Sequence, residues 1–226
     1  MRAMILAAGR GARMGELTQH VPKPLIPVAG KSLIEHLIER LRAAGLCEIV
    51  INLDYRGEQI RTHLGNGDKL GVSVTYSQEP AGALDTGGGI AAALELLGSA
   101  PFAVVNSDIW TDFDFSELKI PTGDAHLILV PNPSHNPDGD FGLRAGLLTD
   151  GGEKWTFAGI GVYRPSLFRP NRLQRYALAP LLREAATFGR VSAEIFNGCW
   201  IDVGTAERLK MAKQYFAKSQ SGHCAV

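Results

Sequence analysis

The first half of the chain restricts the fold most, because short apolar, β-branched runs alternate there with apolar residues repeated at helical spacing. The runs are Ala3 to Ala7, Glu48 to Leu53, Val72 to Ser77 and Phe102 to Asn106. Between them, Leu33, Ile34, Leu37, Ile38 and Leu41 form one stripe and Ile90, Ala93, Leu94 and Leu97 another, with a weaker helix from about Glu58 to Leu64. Strands alternating with helices are βαβ units, which build a parallel sheet covered on both faces. An α/β fold is therefore expected, Rossmann-like and doubly wound, with a mixed, mainly parallel sheet.

After Asp108 the pattern changes. Ala125 to Val130, Phe141 to Arg144 and Lys154 to Tyr163 read as strands separated by Pro- and Gly-rich loops, so this half should be mixed or antiparallel. Leu178 to Thr187 reads as a helix, Cys199 to Val203 as a short strand, and Thr205 to Lys218 as a closing helix capped by Thr205, with a frayed tail from Ser219. At 226 residues and 45% hydrophobic composition the chain can bury a full core, and no repeat or linker divides it, so one domain spanning 1–226 is expected.

Charge and cysteine usage exclude several classes of function. Twenty-three basic residues balance twenty-three acidic ones, so no net field draws the chain to nucleic acid or anionic lipid. Cys47, Cys199 and Cys224 are widely spaced and odd in number, which disfavours a disulfide framework and a zinc site and suits a reducing cytoplasm. The run after Met1-Arg2 is too short for a secretory signal, and no apolar stretch approaches the roughly 20 residues of a membrane helix. A soluble cytoplasmic protein is expected, as a monomer or weak homodimer. The six histidines form no metal-spaced pair, and no Ser or Cys nucleophile stands beside a base; the histidines read as structural or surface groups.

The chemistry should lie beyond the carboxyl ends of the strands, where ligands bind in open parallel sheets. Directly after the first strand comes Leu6-Ala7-Ala8-Gly9-Arg10-Gly11-Ala12-Arg13-Met14. Gly9 and Gly11 permit the backbone conformations of an amide-lined phosphate loop, and Arg13 supplies a forked cation. The same glycines also suit an ordinary strand-to-helix turn. Next, Val21-Pro22-Lys23-Pro24-Leu25 brackets a lysine with prolines, which forbids a regular helix and holds Lys23 on a stiff, extended segment with little freedom to lose.

Two carboxylates then stand out. Asp108 ends the run Val104-Val105-Asn106-Ser107-Asp108, and Asp202 lies between apolar neighbours in Trp200-Ile201-Asp202-Val203-Gly204-Thr205, where an isolated charge is costly. A strand-end aspartate can equally be a turn residue. Leu84-Asp85-Thr86-Gly87-Gly88-Gly89-Ile90 puts three glycines at the start of an apolar helix, either as a flexible entry capped by Asp85 or Thr86 or as bare backbone against a planar ligand.

The loop Leu6 to Met14, followed by Leu17-Thr18 and Pro22-Lys23-Pro24-Leu25, resembles the signature of the sugar-1-phosphate nucleotidyltransferases, and later motifs continue in the family's order to Gly204-Thr205. Glu16 and Ser107 depart from the family pattern, which usually has proline before Leu-Thr and an Asn-Gly-Asp triplet. The resemblance implies that Gly11, Ala12, Arg13 and Lys23 hold a triphosphate, that Gly87 and Gly88 contact the base, and that Asn106 faces the nucleotide. It further implies that Asp108 and Asp202 bind Mg²⁺, which commonly takes one or two carboxylates and completes its octahedron with phosphate oxygens and water. With Arg13 and Lys23 these two aspartates form the expected catalytic set. The halves about 1–112 and 113–218 then serve nucleotide and sugar.

For the acceptor, Asp140-Phe141-Gly142-Leu143 resembles a family segment that approaches the sugar. Asp140 and Gly142 are therefore candidates, with Thr156 as a further contact; an exposed turn explains Asp140 as well. Glu153-Lys154 is similar to a family sugar motif, but its spacing to Ala158-Gly159 is shorter, and no role is carried over. The implied reaction takes UTP and a sugar 1-phosphate, N-acetyl-α-D-muramate 1-phosphate, to the UDP-sugar and pyrophosphate. Alternatives are mannose-1-phosphate guanylyl transfer, glucose-1-phosphate thymidylyl transfer, or a regulator that binds nucleotide sugars without catalysis. A cation is expected opposite the muramyl lactate, and Arg144, Lys154, Arg183 and Arg190 stand as equal candidates.

Overall fold

A sheet of nine strands carries the molecule, and the computed structural model describes residues 1–80, 82, 84–168 and 174–220, with side chains as far as Phe216. Cys224 and the end of the tail expected to fray lie outside the described residues. In chain order the strands are β1 (Ala3–Leu6), β2 (Pro27–Val28), β3 (Lys31–Ser32), β4 (Glu48–Leu53), β5 (Ser73–Gln78), β6 (Phe102–Asn106) and β7 (Ile109–Thr111). They continue as β8 (Ala125–Val130), β9 (Phe141–Arg144), β10 (Leu147–Thr149), β11 (Lys154–Tyr163), β12 (Val191–Ile195) and β13 (Trp200–Asp202). The helices are α1 (Leu33–Ala43), α2 (Gly57–Leu64), α3 (Asp85–Ala92), α4 (Leu94–Leu97), α5 (Leu178–Thr187) and α6 (Ala206–Gln220).

The sheet order is β5-β4-β1-β6-β11-β8-β12-β10-β9. The first four strands are parallel neighbours, β11 enters antiparallel between β6 and β8, and β8 pairs parallel with β12. At the far edge β10 and β9 return to antiparallel pairing. Following these pairings across the sheet, β10 and β11 run against all the other strands, so the sheet is mixed and mainly parallel.

Strand periodicity divides the core into two layers. Ala3, Ile5, Ile49, Ile51 and Val105 face one side, where they meet Ile34, Leu37, Ile38 and Leu41 of α1. Met4, Val50, Phe102 and Val104 face the other and pack with Ile90 and Leu97 and with Leu178 and Leu182 of α5. Helices thus cover both faces, as a doubly wound fold requires. A reciprocal capping box starts α1: the Ser32 hydroxyl accepts from the Glu35 amide at 3.4 Å, and the Glu35 carboxylate accepts from the Ser32 amide at 2.7 Å. Thr205 caps α6, its hydroxyl accepting from the Arg208 amide at 3.3 Å. Among the described residues no helix is long and apolar enough to cross a membrane.

The apolar stripe from Ile90 to Leu97 is divided, because α3 ends at Ala92 and the short α4 follows. Strands β7, β10 and β12 and the β2–β3 hairpin carry weaker signals in the sequence. Three-residue strands show no period, and in β12 the buried Val191 and Ala193 alternate with less buried Ser192 and Glu194 over a single short run.

Three strand ends define the edge at which the cleft opens, since Leu6 lies in register with Asn52 on one side and Asn106 on the other. Just past this edge a buried polar chain ties the strands together. Asn52 accepts from the Ala7 amide at 2.8 Å and donates to Glu79 Oε1 at 2.6 Å, while Glu79 Oε2 accepts from the Leu84 amide at 2.8 Å. Asn52 is 3% exposed and Glu79 4%, so these bonds are largely shielded from water. Replacing Asn52 with Ala leaves a buried amide and a buried carboxylate oxygen short of a partner. It is expected to lower unfolding free energy by about 2–3 kcal/mol, read from denaturant melts; a loss under about 0.5 kcal/mol refutes the role given to this chain of bonds.

Candidate active site

The loop after β1 has a steric reason for its glycine. Gly11 has φ +64, in the left-handed region, and a Cβ there would stand 3.1 Å from both Lys23 Cβ and Thr18 Cγ2. The Thr18 hydroxyl donates to the Gly11 carbonyl at 3.1 Å and fixes the turn. Beyond it, Ala12–Thr18 is a 3-10 segment broken at Gly15. Arg13 is exposed on this segment and lines the cleft.

Lys23 does not sit on an extended stretch, as its proline neighbours suggested. Pro22 is extended, but Lys23–Leu25 is a single 3-10 turn, closed by Leu25 donating to the Pro22 carbonyl at 2.9 Å. Pro24 can enter such a turn because it needs no amide there. The turn carries Lys23 inward to 8% exposure, where its ammonium makes an ion pair with Asp108 Oδ2.

Asp108 and Asp202 are brought together by backbone. β7 starts just after Asp108, and β13, which ends in Asp202, pairs with it antiparallel, so that Asp202 lies opposite Ile109. The Val203 amide donates to the Asp108 carbonyl at 2.8 Å and closes this ladder. Asp202 Oδ2 has His135 Nε2 and Arg208 Nη2 each at 3.4 Å, and its buried Oδ1 has no hydrogen-bond partner among the described residues.

Among the described residues no group of three or more His, Cys, Asp and Glu is placed to hold a metal. A pair of carboxylates, one with an orphaned oxygen and loosely held charge, instead fits a hard divalent cation that draws its remaining ligands from phosphate oxygens and water.

Two chambers meet at this point. The first, about 410 Å³, runs from Gly11, Ala12 and Lys23 to Asn52, Glu79 and Asp85. The second, about 340 Å³, is bounded by His135, Asn136, Asp140, Thr156, Trp200 and Asp202. Arg13, Asn106 and Asp108 line both. Two ligands can therefore approach from opposite ends and meet where two basic side chains, Arg13 and Lys23, stand beside a carboxylate.

Gly87 and Gly88 do not line either chamber. Their amides donate to the Tyr176 carbonyl at 3.0 and 3.2 Å, and a Cβ at Gly87 would fall 2.5 Å from the Tyr176 ring. A Cβ at Gly88 would fall 2.4 Å from the Gln174 carbonyl oxygen. These glycines allow the 174–176 segment to lie directly on α3, and Asp85 and Thr86 form the chamber wall instead. Neither caps the helix in the ordinary way: Leu84 is the N-cap, and Asp85 takes φ +62 with its carboxylate accepting from the Thr86 amide at 2.7 Å.

In the second chamber Asp140 is fixed by accepting from the Phe157 amide at 2.8 Å. Thr156 donates to Asn132 Oδ1 at 2.9 Å. Gly142 stands away from the chamber in β9, where a Cβ would fall 2.1 Å from the Gly151 carbonyl oxygen. None of the four basic candidates for an acceptor carboxylate lines the chamber. Arg183 pairs with Asp150 at 2.9 Å and Arg190 with Asp124 at 2.6 Å, while Arg144 and Lys154 lie elsewhere on β9 and β11. His135 and Asn136 do line it, though the sequence marks His135 only as a structural or surface group. Their one signal is the proline-punctuated stretch Pro131 to Pro137 directly ahead of Asp140.

Residues 2–142 match the model of the nucleotidyl transferase family. The chain is 50% identical to the N-acetylmuramate alpha-1-phosphate uridylyltransferase of Neisseria meningitidis serogroup B, over 94% of this chain and 97% of that protein. It is 33% identical to the protein of the same name from Caulobacter vibrioides, over 96% and 97%. A solved putative glucose-1-phosphate thymidylyltransferase from Bacillus anthracis, 20% identical, superposes with TM-score 0.84 over 95% of this chain and 94% of that one, which shows the shared fold.

Gly11→Ala tests the loop. The strained φ and the approach to Lys23 and Thr18 are expected to cost about 1–2 kcal/mol of stability and to weaken nucleoside triphosphate binding about 10-fold, measured by denaturant melts and titration calorimetry. Unchanged affinity in the folded variant removes Gly11 from the phosphate loop.

Proposed function

We propose a reaction for this chain, which belongs to the sugar-1-phosphate nucleotidyltransferase family: uridylyl transfer from UTP to N-acetyl-α-D-muramate 1-phosphate, giving UDP-N-acetylmuramate and pyrophosphate. The observation that carries the reaction type is the junction of two chambers at Arg13, Asn106 and Asp108, with Asp202 brought alongside by β13. The choice of base and sugar rests on the likeness, over nearly the whole length, to the Neisseria and Caulobacter proteins.

In this reading the triphosphate lies in the first chamber, against Gly11, Ala12, Arg13 and Lys23, with Asn106 facing it at the strand end. The base lies toward Asp85 and Thr86, on a wall held in place by the packing of Gly87 and Gly88 against residues 174–176. The sugar phosphate enters the second chamber beside Asp140 and Thr156, and Gly142 supports it from β9. An oxygen of the acceptor phosphate attacks the α-phosphorus, the bond from that phosphorus to the bridging oxygen breaks, and pyrophosphate leaves. The acceptor is already an anion, so no general base is needed. What has to be overcome is repulsion between two anions.

Arg13 and Lys23 supply fixed positive charge for that purpose at no cost of reorganisation when the bond forms. Asp108 and Asp202 are the residues that would hold Mg²⁺, which would supply further positive charge against the phosphates. Such a reaction belongs to the salvage of cell-wall peptidoglycan sugars in the cytoplasm, and the chain is taken to act as a monomer or weak homodimer without nucleic-acid or membrane partners.

Asp108→Asn and Asp202→Asn keep shape and remove charge. Each is expected to lower pyrophosphate release by about 100-fold or more while the thermal midpoint moves by only a few degrees. Near-normal turnover in both folded variants sinks the assignment. Crossing UTP, CTP, GTP and dTTP with several sugar phosphates should single out UTP with the muramyl acceptor; a clear preference for GTP with mannose 1-phosphate overturns the substrate choice and leaves the reaction type standing.

A further inference from the structure

We propose that His135, with Asn136 beside it, is the specificity-determining contact for the carboxylate that the acceptor sugar carries in addition to its phosphate. The assignment rests on the reaction proposed above and names the group that tells the muramyl acceptor from an unsubstituted hexosamine 1-phosphate.

Charge sets the problem. Asp108, Asp140 and Asp202 all line the acceptor chamber, so a second anionic group on the sugar is repelled unless nitrogen donors face it. Arg13 stands at the junction, where the phosphates meet. Arg183 and Arg190 are committed to Asp150 and Asp124. On the acceptor side of the junction, among the described residues, the nitrogen donors on the chamber wall are the His135 imidazole, the Asn136 amide and the Trp200 indole. The indole is already used, donating to the Ala158 carbonyl at 2.9 Å.

The loop that carries the other two is built to hold them still. Asn132 donates to the Lys154 carbonyl at 2.9 Å and to the Pro137 carbonyl at 3.2 Å, and accepts from the Thr156 hydroxyl at 2.9 Å. Thr156 in turn accepts from Asn136 Nδ2 at 3.1 Å, and the Asn136 backbone N–H donates to the Pro133 carbonyl at 2.9 Å. Pro131, Pro133 and Pro137 remove further backbone freedom.

His135 projects from this frame with its side chain 31% exposed and Nε2 3.4 Å from Asp202 Oδ2. One edge of the ring thus faces the aspartate, and the partly exposed ring lies on the chamber wall. The second N–H of the Asn136 amide group adds a neighbouring donor, and little entropy is lost when a carboxylate docks on groups already fixed.

The test compares N-acetylmuramate 1-phosphate with N-acetylglucosamine 1-phosphate, which has a hydroxyl where the first has the lactyl ether, each with UTP and the wild-type, His135→Ala and His135→Gln chains. The readout is kcat and KM from pyrophosphate release, with thermal unfolding as a check on the fold. His135→Ala is expected to raise KM for the muramyl acceptor about 10-fold or more, to change KM for the glucosamine acceptor less than about twofold, and to leave KM for UTP unchanged. His135→Gln, which keeps a donor, should recover part of the loss. An equal loss for both acceptors, or a loss confined to kcat, means that His135 serves only Asp202 and overturns the assignment. If the wild-type chain turns over neither acceptor with UTP, the reaction itself is wrong and the assignment falls with it.

Discussion

The active-site geometry depends on the pairing of two three-residue strands, β7 and β13, which sets Asp202 beside Asp108. Both carboxylates line the second chamber, where like charges repel unless positive charge stands nearby. Here Lys23 pairs with Asp108, and His135 and Arg208 approach Asp202 without a full hydrogen bond. The site is thus held by a backbone ladder together with the Lys23–Asp108 ion pair, and Asp202 keeps one buried oxygen without a hydrogen-bond partner among the described residues. Because β13 leads through Val203 and Gly204 into α6, the last helix of the fold anchors the strand that carries Asp202.

Backbone and buried side chains fix the first chamber in a similar way. Leu6, Asn52 and Asn106 end their strands in register, and the buried Asn52–Glu79 link holds the start of the α3 region against them. The Gly11 turn then lies tight against Lys23. These contacts decide how far apart the groups lining the first chamber can move.

Much of this was legible in residues alone. The strands from Glu48, Phe102, Ala125, Phe141 and Lys154 and the helix Leu178–Thr187 carry strong periodicity or composition, and the structure gives each the bounds that the pattern suggests. The loop after β1, Lys23, Asp108 and Asp202 stood out because each couples an unusual residue to a strand end or a proline bracket, and the structure places them on the chamber walls. What stayed hidden depends on contacts distant in sequence. No local pattern tells that Gly87 and Gly88 serve the packing of Tyr176 and Gln174, that Gly142 lies behind the chamber in β9, or that Pro22 and Pro24 set a 3-10 turn instead of an extended strut. His135 was hidden for the same reason, since a lone histidine among prolines acquires meaning only when Asp202 folds up beside it.

The antiparallel entry of β11 between β6 and β8 has a wider consequence. Ile128 and Ile160, from the second half, share one apolar layer with Ile5 and Ile51 from the first. A fragment ending near residue 112 would leave β6 with a bare edge and an uncovered layer, a template for self-association rather than a working nucleotide binder. Acceptor preference in such a scaffold can therefore diverge through loop exchange at the rim, as between Pro131 and Asp140, but not through the shuffling of whole halves between relatives.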